Sequence, residues 1–280
     1  MLISCLPFVE LQDSPLAAGP SRIHYRKFGS GHPLVFLHGG WGYQIYALSD
    51  QQVSIPGFEV IIPDRSGYGQ STKPSIFNPG FHRLAVAETL ALIDALGIEQ
   101  LILWGHSDGA VISAWMALLA PQRLRGIILE ALHYDRAKPH SREFFQTMVR
   151  DPEAFGERVT AILAADHGPT WRDCIRGDGE AWLQIAALQS PHPDIYEGRL
   201  SEIKTPVAII HGANDPRTEP EELNHVFREL PTAQQHVIAG AGHSPHSERG
   251  SQQEVTERVR QIVQEWQRYL RSNVTSVDMS

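Results

Sequence analysis

Three residues of this chain have the chemistry, and the neighbours, of a nucleophile, its base and the group that holds the base. Ser107 stands in Gly105-His106-Ser107-Asp108-Gly109, between the apolar run 100–104 (QLILW) and the helical pattern AVISAWMALLA. A serine that attacks must be pushed out on a tight strand-to-helix turn, and small flanking residues allow that turn. Its hydroxyl is a poor nucleophile until a base takes the proton and a third group fixes the base. The candidate base is His243, in Gly240-Ala241-Gly242-His243 after the run 235–238. His246, three residues on, competes with it, and a His243/His246 metal pair lacks any supporting carboxylate or cysteine cluster. The candidate acid is Asp215, in His211-Gly212-Ala213-Asn214-Asp215-Pro216 directly after the run 206–210 (PVAII). Glu130 and Asp135, beyond an earlier apolar run, are the alternatives.

Attack of a serine on a carbonyl creates an oxyanion, which needs two backbone donors. One expected donor is the N–H of Asp108, at the start of the helix that follows the nucleophile. The other is expected from the loop His38-Gly39-Gly40-Trp41-Gly42, with Gly40 preferred and Trp41 next. Trp41, His106 and Asp108 are the candidate substrate-binding residues. Nothing in the sequence carries a phosphate loop, a GxGxxG fingerprint or a metal cluster, so no cofactor and no metal is expected.

These residues need a scaffold that brings them to one edge. Residues 22–28 (RIHYRKF) alternate and predict a half-buried strand. The short runs 33–37, 58–62, 100–104, 125–130, 206–210 and 235–238 predict strands, and continuous Val/Ile/Leu runs are typical of strands buried on both faces. Amphipathic helical patterns lie at 82–96, 109–120 and 255–270. Strand alternating with helix predicts an α/β fold with a doubly wound, mostly parallel sheet, whose site lies at the carboxyl ends of its strands. Residues 133–200 break the alternation with aromatics and prolines and no convincing buried strand, predicting an inserted helical lid. The core is then 1–132 with 201–280, and the polar tail after Leu270 is expected to fray.

Composition excludes other classes. With 42% hydrophobic and 20% charged residues the 280-residue chain reads as globular, not disordered. Lys plus Arg number 24 against 32 Asp plus Glu, and the resulting charge of −8 repels nucleic acid and anionic membranes. Cys5 and Cys174 are too few and too separated for a disulfide framework and read as free thiols. No basic residue precedes the short apolar run near Met1, and no run reaches the roughly 18 apolar residues of a membrane span. The expectation is a cytoplasmic monomer or small homo-oligomer acting on a small molecule.

Five segments together resemble the α/β-hydrolase family: HGGWG at 38–42, DRSGYGQS at 64–71, GHSDG at 105–109, HGANDP at 211–216 and GAGHSPHSE at 240–248. The order Ser, Asp, His is that of the family. The resemblance implies that Asp64 belongs to a structural turn and has no catalytic role. Serine followed by aspartate, with a lid of this size, resembles the biphenyl hydrolase-like (valacyclovir hydrolase-like) branch and its carboxylesterase relatives. That resemblance implies that Asp108 attracts a substrate's amino group, although His106 stands where the branch tends to have tryptophan. The expected activity is hydrolysis of small carboxylic esters through an acyl-enzyme. Lactonase, amidase or aminopeptidase and C–C bond hydrolase activities use the same three residues, and some relatives are non-enzymatic ligand receptors. Serine at the centre of the elbow excludes chemistry with an aspartate nucleophile, such as epoxide opening.

Overall fold

The computed structural model describes residues 7–73 and 76–277, with side chains through Arg268. Eight strands form one sheet: β1 (Phe8–Ser14), β2 (Gly19–Gly29), β3 (His32–Leu37), β4 (Phe58–Pro63), β5 (Leu101–His106), β6 (Leu124–Glu130), β7 (Val207–Gly212) and β8 (Gln234–Ile238). Their spatial order is β1-β2-β4-β3-β5-β6-β7-β8. The first two strands pair antiparallel with their neighbours, and the rest run parallel. The sheet is therefore the mostly parallel α/β sheet expected from the alternation.

Successive residues of a strand point to opposite faces, and each face has its own apolar layer. On one face Val35, Leu37, Leu101, Leu103, Ile127, Leu129 and Ile209 meet α2 (Phe81–Ala95) and α3 (Asp108–Leu119). On the other, Leu34, Phe36, Ile102, Trp104, Ile128 and Ile210 meet the long helix α8 (Gln252–Val277). The sequence within β6 shows how close that second layer is: a Cβ on Gly126 would overlap the ring of Trp266 from α8. Burial of both faces explains why these strands read as unbroken apolar runs rather than alternating ones.

The helices between β6 and β7 are α4 (Arg142–Arg150), α5 (Glu157–His167) and α6 (Trp171–Ala187). Phe145, Met148, Leu163, Ile175, Trp182 and Ile185 join the apolar layer that holds α2 and α3. Three features differ from the periodicity reading. β1 was masked in the sequence by its polar outward residues, burying only Leu11 and Ser14 fully. The short helices α1 (Asp50–Val53) and α7 (Glu222–Glu229) carry too few apolar positions to register a period. Helix α8 spans Gln252–Val277, running past Leu270 instead of fraying there. Cys174 is a buried free thiol, and Cys5 lies outside the described residues. No helix among the described residues is long and apolar enough to cross a membrane.

Candidate functional site

The turn between β5 and α3 is set by steric exclusion. Ser107 adopts φ 55° and ψ −119°, a conformation costing on the order of 1–3 kcal/mol for a non-glycine residue. A Cβ on Gly105 would overlap the carbonyl of Gly109, and a Cβ on Gly109 would overlap the carbonyl of Leu37. Both glycines are thus needed for close approach, which lets α3 start immediately after Ser107. The serine itself is only 9% exposed.

The carboxyl ends of β7 and β8 deliver Asp215 and His243. His243 Nε2 lies 3.0 Å from Ser107 Oγ, and His243 Nδ1 lies 2.9 Å from each carboxylate oxygen of Asp215. Since a carboxylate accepts only, Nδ1 carries the proton and Nε2 faces the serine as an acceptor. Burial alone would raise the Asp215 pKa, but the charge and hydrogen bond of His243, with His211 nearby, hold it well below the usual carboxylate range. Its charge is further supported by the N–H of Arg217, which donates to Oδ1 at 2.8 Å.

The alternative acid and base have other partners. Glu130 is fully buried and accepts from Trp104 Nε1 at 2.9 Å, from the His246 amide at 2.9 Å and from His246 Nδ1 at 2.8 Å. His246 Nε2 in turn donates to the Tyr46 carbonyl at 2.8 Å. Asp135 lies against His225, at 3.2 Å. Neither carboxylate reaches His243.

The loop 38–42 is laid directly over the nucleophile: a Cβ on Gly39 would sit 3.1 Å from the Cβ of Ser107. Arg65 holds this loop, donating from Nη2 to the carbonyls of His38 at 3.2 Å and Gly39 at 2.9 Å. Its own N–H donates to His38 Nε2 at 3.2 Å, and burial beside that guanidinium keeps His38 neutral, with a pKa pushed down to about 3. The amides of Gly40 and Asp108 donate to no acceptor among the described residues. Asp64 is a structural anchor, with His24 at 2.8 Å, Arg26 at 2.6 Å and Ser71 bonded to its carbonyl at 2.6 Å. The Asp64 carboxylate fills the space a Cβ on Gly69 would need, so the glycine of this motif has a steric cause.

His106 Nε2 donates to the His243 carbonyl at 3.0 Å, with Ser244 Oγ also at 3.0 Å, so this side chain braces the base's loop. Burial pushes its pKa down to about 3. Asp108 Oδ1 accepts from Trp182 Nε1 at 2.9 Å and faces His82 Nε2 at 3.3 Å, while Arg65 stands 3.9 Å from Oδ2. These neighbours overcome burial and hold Asp108 ionised.

Ser107, His243, Trp41, His106, Asp108 and Gly40 all line one pocket, which encloses roughly 480 Å³ of empty space, part of it open to solvent. Sequence reasoning missed several of its walls. His133, just beyond β6, brings Nε2 to 3.5 Å from Ser107 Oγ and stacks on His243 at 5.5 Å. Asp178 of α6 packs on Gly40, where a Cβ would overlap its carboxylate and force that side chain to shift. Burial, with the charge of Asp108 second, raises the Asp178 pKa far above the carboxylate range and keeps it protonated. Phe144, Phe145 and Trp182 bring aromatic surface from α4 and α6, and Arg217 closes the wall near Tyr46. Only the Gly-Asp-Gly at 177–179 and the Arg two residues after Asp215 signalled these positions, and neither pattern specifies a place without the fold.

Residues 34–257 match the model of the alpha/beta hydrolase family. The chain belongs to that family. It is 24% identical over 237 residues to the serine hydrolase BPHL of Mus musculus, covering 82% of this chain and 80% of that protein. It is 27% identical over 168 residues to Epoxide hydrolase 2 of Siraitia grosvenorii, and that match takes in 57% of this chain but about half, 52%, of the relative. An esterase structure from Thermogutta terrifontis superposes with a TM-score of 0.68 at 24% identity, covering 94% of this chain and 98% of that one.

Proposed function

We propose that the chain is a serine hydrolase of small carboxylic esters acting through an acyl-enzyme. The observation that carries this reading is the unbroken path from Asp215 through His243 to Ser107 Oγ, on the floor of a pocket. Ser107 Oγ attacks the carbonyl carbon as His243 Nε2 takes its proton, and Asp215 stabilises the imidazolium through Nδ1–H. The tetrahedral oxyanion is met by the amides of Gly40 and Asp108. Collapse expels the alcohol, which takes the proton from His243. Water then repeats the sequence on the acyl-serine, releasing the acid and restoring Ser107. The helices α4 to α6 act as a lid that supplies the apolar walls, with Trp41 and His106 completing the pocket.

The similarity to a protein named epoxide hydrolase does not bring its substrate across, because the elbow carries a serine hydroxyl where ring opening by an aspartate would need a carboxylate. The role suggested for Asp108 by resemblance also changes. With Oδ1 engaged by Trp182 and His82, and Arg65 beside Oδ2, we assign Asp108 to organising the pocket wall.

The test is hydrolysis of p-nitrophenyl acetate, butyrate and octanoate by wild type and Ser107→Ala. Turnover by wild type that is lost in the variant is the expected result, with the chain-length preference sizing the pocket. Labelling of Ser107 by a fluorophosphonate without turnover of any ester would favour a ligand receptor instead.

A further inference from the structure

One charged side chain lining the pocket has no ion-pair partner at contact distance among the described residues, and it is Arg217. Of the two acids that line the pocket, Asp108 has Arg65 within 3.9 Å and Asp178 is kept protonated. The pocket imidazoles His106 and His133 are held neutral by burial. Arg217 stands apart from these. Among the described residues no carboxylate oxygen lies within 4.0 Å of its guanidinium, and that group makes no hydrogen bond. Asp215, the nearest acid along the chain, gives its hydrogen bonds to His243 and to the backbone N–H of Arg217, and acts on the guanidinium only through its charge, from beyond ion-pair distance.

The guanidinium is nevertheless fixed in place. Its Cζ stands over the Phe144 ring, 3.1 Å from the centroid, and Phe144 stacks on Trp41 at 5.4 Å. Ser141 Oγ donates to the Arg217 carbonyl at 3.0 Å, tying the backbone beneath it to the start of α4. The ring covers one side of the guanidinium, and its N–H groups have no acceptor among the described residues. A planar fork held in one orientation loses little freedom on taking up a carboxylate through two parallel hydrogen bonds.

We propose that Arg217 forms a carboxylate subsite and that the substrate is an acyl compound bearing a second, free carboxylate, such as a half-ester of a dicarboxylic acid. The inference rests on the serine hydrolase reading for the location of the scissile bond, but the guanidinium's demand for an anion does not depend on the reaction. The carboxylate anchors on Arg217 while the ester carbonyl lies over Ser107, and both groups line the same pocket. Neutral esters of equal length leave the guanidinium without a partner in a partly buried wall.

Two measurements separate this subsite from the reaction. Binding of monomethyl glutarate and of neutral methyl pentanoate to Ser107→Ala is read by calorimetry, with and without Arg217→Gln. The half-ester should bind about tenfold or more tightly than the neutral ester, and Arg217→Gln should erase that ratio while Arg217→Lys restores part of it. In the otherwise wild-type enzyme, the ratio of kcat/KM for mono-p-nitrophenyl glutarate over p-nitrophenyl pentanoate should fall by a similar factor in Arg217→Gln, chiefly through KM. Equal binding of the two ligands, or a ratio indifferent to Arg217, overturns the subsite. Selective binding of the half-ester without hydrolysis by the wild type would keep the subsite and refute the esterase reading.

Discussion

The buried pair Glu130 and His246 gives a prediction whose size can be worked from its hydrogen bonds. Both side chains are fully buried, and both imidazole nitrogens face acceptors, Glu130 Oε1 at 2.8 Å and the Tyr46 carbonyl at 2.8 Å. An imidazole with two acceptors is protonated, so the pair is an imidazolium and a carboxylate. Burial works against the charge on His246, but the charge and hydrogen bond of Glu130 outweigh it and raise its pKa. Burial likewise opposes the charge on Glu130, and His246 outweighs it, holding that pKa down. The histidine contribution is complete below the unfolded value of about 6.5 and is lost as pH rises through the raised folded value. The glutamate contribution is complete above about 4.3 and is lost as pH falls through the depressed one.

In Glu130→Gln one oxygen must replace two that serve three N–H donors, Trp104 Nε1, the His246 amide and His246 Nδ1. A neutral His246 can turn Nδ1 into an acceptor, but at least one buried N–H then meets the amide NH₂. The expected loss is about 1–3 kcal/mol at pH near 6, the cost of an orphaned buried donor. Urea unfolding of wild type and Glu130→Gln at pH near 6 and near 9 measures it. The gap between the two midpoints should narrow at the higher pH, because the His246 contribution is lost as pH rises through its raised folded value. Equal stabilities near pH 6, or a gap that does not change with pH, would refute the assignment of an ion pair.

Two further outcomes follow from the described contacts. Asp108→Asn should lower turnover of amino-acyl and neutral esters by the same factor, since its carboxylate is spent on Trp182 and His82; a selective loss on the amino-acyl ester would restore the ammonium-binding role. His167 Nδ1 accepts from the Gly69 amide at 2.9 Å and Nε2 donates to the Trp41 carbonyl at 3.0 Å, a bridge that only the neutral ring can make. Burial, opposed by the charge of Asp166, lowers the His167 pKa, so its contribution is present above about 6.5 and is lost as pH falls below it. The protection factors of the α5 amides, their exchange rates taken relative to the intrinsic rate at each pH, should therefore fall on acidification below about pH 6 in wild type, and by much less in His167→Gln.

What the sequence disclosed and what it hid have different physical origins. Strands buried on both faces announce themselves as unbroken runs, and the elbow glycines are required by backbone contacts that no side chain survives, so β3 to β8 and the Ser107 turn were legible. Asp215 and His243 were legible because each follows such a run. β1 hid behind polar outward residues, and α7 was too short to show a period. His133, Asp178 and Arg217 are ordinary residue types in ordinary local patterns. Their meaning comes from long-range approach: α6 onto the loop 38–42, and the segment after β6 onto the segment after β5. Such placements have no periodicity to read. Choosing between His243 and His246 likewise depended on which way two imidazoles three residues apart would point.

The carboxylate of Glu130 also bears on how the chain is made. It sits at the end of β6, in the middle of the sheet, while its imidazolium partner arrives more than a hundred residues later along the chain. During synthesis the ribosome has delivered the strands on either side of β5 long before residue 246 emerges. A nascent sheet that closed around Glu130 at that point would bury a lone charge, a penalty of several kcal/mol. The central strands are thereby discouraged from locking shut until the segment carrying both His243 and His246 is available. Chains released early would carry the nucleophile without its base and also an unstable core, leaving them to proteases rather than persisting as inactive, well-folded copies.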